Sequence, residues 1–307
     1  MEWKDKIYEH YLEMEENIDV RKLLTSLGSS SFERALMAPA GKRTKPDYPS
    51  IMLEHEIKQV EDQPLKVSGF IDGIQASLCL RYIDHRPIYL SYAAAGVITE
   101  EVELNSVEES LEIVMSKLEE EWFESIEYPM NKYLIDNWEP EEIEYQAAQR
   151  LSQQRNMLEE KSIAKNLAER EGFLVLDGGL VGKTINKRLV GVVKTTGNKY
   201  LDDETKLRSL PEGFMSPRFI IPAGSQGVMV DRFATYVRLH DASKKHWNFG
   251  LIRLESFEPG ILESLAMRCL LERQSTRSMD PRFDRHITSI KSCEDKLRAN
   301  RPSIFNF

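Results

Sequence analysis

The sequence is poor in cysteine, has no long apolar run, and in one stretch contains no acid at all. Its three cysteines, Cys79, Cys269 and Cys293, are scattered through 307 residues. That odd number and wide spacing exclude a disulfide framework and a cysteine-rich zinc site, and they fit a reducing cytoplasm. No run of about 18 apolar residues exists, so no membrane span is expected. The opening stretch MEWKDKIYEHYLEMEE is too acidic and too polar for a secretory leader. A cytoplasmic location is the resulting expectation. A basic surplus is also missing. The net charge of -9 counts against a general nucleic-acid coat, because neutralising phosphates needs a basic surface.

What is present is unevenly distributed. Acids crowd between Glu100 and Glu144, opposed only by Lys117 and Lys132. From Gly178 to Leu201 there is no acid, while Lys183, Lys187, Arg188, Lys194 and Lys199 supply positive charge. Such asymmetry permits a polyanion at one face and is equally compatible with two ordinary solvated faces.

Apolar spacing predicts a helix over residues 1–27, a Ser/Gly/Pro/Lys-rich connector after it and a short helix near Ser50–Gln59. Strands follow at Lys66–Ile83 and Arg86–Ile98, with a hairpin turn between them. The acidic stretch after Glu100 reads as helical, from Leu111, Ile113, Val114 and Leu118, and a long helix follows over Pro140–Arg170. Further strands are expected at Phe173–Leu176, Leu189–Thr196, Arg218–Pro222, Phe233–His240 and Phe249–Ser256, and closing helices at Pro259–Gln274 and Asp284–Ala299. This order describes an α/β protein: an N-terminal helical arm and linker (1–65), then a mixed sheet flanked by helices (66–307) with an acidic helical insertion at about 100–150.

The stretch FLVLDGGLVGKT, Phe173 to Thr184, carries two signals. Its Gly182-Lys183-Thr184 tail suggests a phosphate-binding loop, but the first glycine of that motif falls on Asp177. A carboxylate there would oppose the phosphates that the loop's backbone must cradle. Its head ends a strand in Asp177-Gly178, as VSGFIDG ends in Asp72-Gly73. Each Asp-Gly is either a turn or a strand end delivering a carboxylate to a divalent cation such as Mg²⁺ or Mn²⁺. A third carboxylate is available on the long helix, read either as a metal ligand or as a salt-bridge partner. Glu159 shares a face with Arg155 and Ile163, while Glu160 lies about 100° further round and is expected to be more exposed. His286 offers an imidazole, read either as a ligand or proton carrier or as a structural group. Lys183 and Lys194 are candidates to meet phosphate, Lys194 being equally readable as a solvent-facing strand lysine. Arg238 and Arg253, alternating with apolar neighbours, either line a nucleic-acid channel or are exposed strand positions.

The set FIDGIQAS, YLSYAAAGVI, Arg155-x3-Glu159, VLDGGL and LVGVVK, with the later YVRL, FGLIRLES and a histidine-bearing helix, resembles the NurA nuclease family from about Lys66 onward. Where that family has Asp-Gly-Ser, this chain has Asp72-Gly73-Ile74 and Asp177-Gly178-Gly179. The resemblance implies an RNase H-like fold and a metal-dependent DNA nuclease. It further implies a homodimer that works with a HerA-type hexameric ATPase in DNA-end processing or antiviral defence. It puts Asp72, Glu159, Asp177 and His286 in the catalytic, metal-holding places, with two Mn²⁺ or Mg²⁺ ions expected. The altered motifs also admit a catalytically degenerate adaptor that binds the ATPase or DNA without cleaving.

Overall fold

In the run Val67–Ile83, Phe70, Ile74 and Leu78 join one apolar cluster while Ile71 joins another. That period-two division over a long apolar run makes a strand covered on both faces. The computed structural model describes residues 50–101, 103–120, 131–137, 139–194, 200, 207–223, 230–274 and 283–305. The expected N-terminal helix and its connector lie outside these residues. In chain order the strands are β1 (Ile51–Met52), β2 (Lys58–Gln59), β3 (Val67–Ile83), β4 (Arg86–Ile98), β5 (Leu104–Ser116) and β6 (Asn131–Ile135). After helix α1 (Pro140–Glu169) come β7 (Phe173–Asp177), β8 (Leu189–Val193), β9 (Phe214–Met215), β10 (Phe219–Ile221), β11 (Arg232–Arg238) and β12 (Leu251–Ser256). Helices α2 (Leu262–Glu272) and α3 (Thr288–Asn300) follow.

The fold is α/β, with a mixed sheet of twelve described strands in the order β1-β10-β11-β12-β8-β7-β3-β4-β5-β6, and β2 and β9 attached beside β11. β3, β4 and β5 form an antiparallel meander. Asp84 and His85 close its first hairpin, both with positive φ (45° and 69°), as a two-residue turn requires. β7 and β8 continue the sheet parallel to β3, and β12, β11 and β10 extend it antiparallel.

Helix α1 crosses one face. Ile143 and Ala147 pack with Tyr89 and Val114, Leu151 and Leu158 with Ala93 and Ala95, and Ile163 and Leu167 with Ile71, Leu174 and Leu176. The small side chains of Ala93 and Ala95 admit the leucines to the sheet. Pro140 starts the helix, where its missing N–H costs nothing. Arg188 ends it, donating to the carbonyls of Leu167 and Arg170 at 2.6 Å each, a cation at the negative end of the helix dipole. Helices α2 and α3 cover the other face, with Leu262, Leu265, Ile290, Cys293 and Leu297 in one cluster with Phe70, Ile74 and Val175.

Two expectations from the sequence are corrected. Residues 50–59 form short strands β1 and β2 rather than a helix, paired with β10 and β9. The acidic stretch is not a helical insertion: residues 104–116 are strand β5 and 131–135 strand β6, with 121–130 outside the described residues. Leu111, Ile113 and Met115 alternate onto one cluster and Val114 onto another, and ladder bonds to β4 satisfy the backbone. The acids are partly used inside. Buried Glu112 pairs with Arg150 of α1 at 2.7 Å, and Glu109 accepts from the Tyr92 hydroxyl.

Candidate active site

Three parallel strands, β3, β7 and β8, run side by side to the point where β7 and β8 end and β3 continues. Ile71 is in register with Leu176, so Asp72 and Asp177 emerge as neighbours. Asp177 pairs with Val192, and Lys194 follows just past the end of β8. β7 stops at Asp177, whereas β3 continues to Ile83 without a β7 partner along that edge. A cavity of about 480 Å³ opens there, at the carboxyl ends of parallel strands where open α/β sheets collect their ligands. Asp72, Glu159, Asp177, Lys183, Lys194 and His286 all line it.

Asp72 is 7% exposed, and its carboxylate accepts one hydrogen bond, from the Gly73 N–H at 2.7 Å. Among the described residues it has no ion-pair partner. Burial first, and Asp177 second, push its pKa well above the usual carboxylate range, against the pull of Lys194. The neighbouring acids are each paired. Lys194 Nζ lies 2.8 Å from Asp177 Oδ2, and Lys183 Nζ lies 2.6 Å from Glu159 Oε2. Arg155, one turn before Glu159, stands at 3.4 Å from Oε1.

The two Asp-Gly pairs do different work. Gly73 is in mid-strand opposite Ala95, and a Cβ there would stand 2.4 Å from Glu159 Oε1. It is glycine so that the helix carboxylate can lie over the strand. Gly178, with φ of +135°, turns the chain out of the sheet as a turn dipeptide should. The loop that follows is tied back to α1 through adjacent acids. Lys183 reaches Glu159, and Thr184 donates to Glu160 through its N–H at 3.0 Å and its hydroxyl at 2.6 Å. β8, not a helix, follows Thr184, so the nucleotide-loop reading lacks the element it depends on.

His286 is 2% exposed in the turn preceding α3. Beside it, Arg285 donates to the Lys194 carbonyl at 2.7 Å, and buried Asp284 accepts from the Gly250 N–H, which fixes this turn to the sheet. The sequence reading overlooked Glu294, which reaches the cavity from α3. Burial works against its charge, but Lys291 and Arg298 hold its pKa below the usual value, and its charge in turn raises that of Asp72. The available signal was an i,i+4 Glu294/Arg298 pair flanking the apolar stripe Ile290, Cys293 and Leu297.

Arg238 and Arg253 lie elsewhere and are neither exposed nor in the cavity. Arg238 is fully buried, donating to the carbonyls of Leu207, Leu210 and Phe249, and burial pushes its pKa down to about 10. Arg253 pairs with Glu255 at 2.9 Å and lies 4.6 Å over the Tyr200 ring. β11 and β12 are interior strands of the sheet, with Tyr236 and Leu251 in a further cluster, so their polar positions meet protein rather than solvent. Glu255 also binds Arg232 and accepts the Leu180 N–H at 2.9 Å, anchoring the loop after Asp177. That support was not visible in the sequence either.

The acid-free stretch proves to be internally wired. Lys183 and Lys194 pair in the cavity, Lys187 reaches Glu258 at 3.1 Å and Arg188 caps α1; Lys199 lies outside the described residues. Hard oxygen donors on neighbouring buried strands, one of them buried without an ion-pair partner among the described residues, suit a divalent cation in kind. Among the described residues no three His, Cys, Asp or Glu stand together as a finished cage. The chain matches no protein-family model, no curated protein and no solved structure.

Proposed function

We propose that this cavity is the active site of a divalent-metal-dependent deoxyribonuclease of the NurA kind, built on an RNase H-like core. The observation that carries the reading is Asp72, a buried carboxylate with no ion-pair partner among the described residues, beside Asp177 at the end of the neighbouring parallel strand. Leaving a charge in that setting costs several kcal/mol unless a cation or proton answers it. The meander β5-β4-β3 extended by parallel β7 and β8, with α1 between the two parts of the chain, supports the RNase H-like reading.

Asp72, Asp177 and Glu159, with His286, are the residues that would hold Mn²⁺ or Mg²⁺. Such ions lower the pKa of an attacking water and stabilise the departing oxygen of a phosphodiester. The chain's own groups supply the rest. Lys183 and Lys194 carry ammonium donors suited to phosphate oxygens. His286 brings an imidazole able to carry a proton near neutral pH. The Glu255 network holds the loop that follows Asp177. By the same resemblance, the protein works as a homodimer with a HerA-type hexameric ATPase in DNA-end processing or antiviral defence.

The test is cleavage of single- and double-stranded DNA by the purified protein with Mn²⁺, with and without the ATPase. Asp72→Ala and Asp177→Ala are expected to abolish cleavage while thermal unfolding stays cooperative. Full activity in either variant would sink the metal site. One observation favours a second reading: lysines already occupy two of the candidate ligands, as in an adaptor that has lost its chemistry. An adaptor forms the complex with the ATPase, and neither it nor the mixture cuts DNA.

A further inference from the structure

The cavity is lined by four carboxylates, Asp72, Glu159, Asp177 and Glu294, and by four basic side chains, Arg155, Lys183, Lys194 and Arg298. The cations are not equivalent. The Arg155 and Arg298 side chains are 36% and 46% exposed, and water screens their pairings. The Lys183 and Lys194 side chains are only 8% and 7% exposed, and their ammonium groups lie directly on Glu159 and Asp177. An ammonium at 2.6–2.8 Å occupies one oxygen of each carboxylate and supplies the positive charge that a divalent ion would otherwise bring.

We propose that Lys183 and Lys194 are internal counter-cations that oppose divalent metal in the cavity until a nucleic-acid phosphate arrives, so that metal and substrate load as a coupled pair. This rests on the metal-site reading above and adds the order in which the site fills. By formal charge, the four carboxylates and four cations of the lining balance. A dication entering alone displaces the two ammonium groups and leaves two uncompensated positive charges in a half-enclosed space, where repulsion is poorly screened. A phosphodiester backbone brings one negative charge per phosphate and gives the displaced ammonium groups new acceptors. Lysine suits this exchange, as a point charge with three donors on a flexible stem. Asp72, which has no lysine on it, is where an ion can first gain a hold. Coupling of this kind is reciprocal: whatever factor DNA adds to metal affinity, metal adds to DNA affinity.

The experiment measures Mn²⁺ binding by electron paramagnetic resonance, with and without an oligothymidylate whose phosphorothioate linkages resist hydrolysis. In the wild type the oligonucleotide is expected to tighten Mn²⁺ binding about tenfold or more, and anisotropy should show Mn²⁺ tightening the oligonucleotide by the same factor. The double variant Lys183→Gln/Lys194→Gln is expected to bind Mn²⁺ about tenfold more tightly than wild type without DNA, and to lose most of the enhancement. The reciprocal measurement on the wild type needs no variant, so it stands even if the double variant folds poorly. Wild-type Mn²⁺ affinity indifferent to the oligonucleotide overturns the coupling. A folded double variant that binds Mn²⁺ no more tightly overturns the role of the lysines. A wild type that binds the oligonucleotide but no Mn²⁺ in either arm overturns the metal-site reading and this inference together.

Discussion

Asp72 resists ionisation because it is buried and because Asp177 is beside it, and that has a direct consequence for stability. Its folded pKa lies above the unfolded value of about 3.9, so between the two the folded protein holds a proton that the unfolded chain has released. Stability therefore falls as pH rises through that window. Asp72→Asn removes the penalty: in EDTA the variant is expected to melt above wild type at neutral pH, with the gain vanishing as pH drops below about 4. Melting curves across pH check this, and an equal or lower melting temperature at pH 7 would contradict it. Such a gain in stability at the cost of activity is a usual mark of a working site. The candidate residues were legible where one rule sufficed. An apolar run leading into Asp gave Asp72 and Asp177, although only Asp177 ends its strand and Asp72 lies within β3, and a helix face gave Glu159. Gly73 was not legible, since Asp-Gly reads as a turn until the carboxylate lying over it is seen. Arg238 and Arg253 misled because alternation on a strand separates two faces without saying that the second is wet.

Among the elements, a buried side chain of the far half of the sheet anchors the loop beside the site. Glu255 on β12 is fully buried, receives Arg232 and Arg253, and binds the Leu180 N–H. Burial pushes its pKa up, but the two guanidinium groups and the backbone donor outweigh this and hold it below the usual value. Its contribution is present above the unfolded carboxylate pKa and is lost as pH falls through the folded one. Glu255→Gln leaves two arginines buried without their counter-charge, and urea denaturation is expected to show a loss of about 3–5 kcal/mol at pH 7. A loss under about 1 kcal/mol would mean that water or other groups already satisfy the arginines. Element identity was legible for β3, β4, α1 and β7, whose patterns are long or sharply bounded. It failed for β5, because Leu111, Val114 and Leu118 fit a helical spacing as well as a strand's. What decides is the ladder to β4, in which Leu111 faces Tyr92 and Val114 faces Tyr89, a pairing that the spacing within the stretch does not show.

In the whole molecule, the site combines a buried floor with a rim that is partly exposed between its anchors. No described helix is long and apolar enough to cross a membrane. The floor stands on strands covered by α1 on one face and by α2 and α3 on the other, and the rim is the loop bearing exposed Val181 and Ile185. Hydrogen exchange is expected to find the amides of Ile71 and Leu176 among the slowest in the protein and those of Val181, Gly182 and Ile185 among the fastest. Similar protection in both sets would contradict this division. The early stop of β7 has a further consequence. A sheet ordinarily walls off one of its faces from the other, yet here the missing length of β7 leaves a window beside β3. Glu159 looks into it from the α1 side, and His286 and Glu294 from the α3 side. A ligand held in this cavity would therefore touch side chains carried on both faces of the sheet at once.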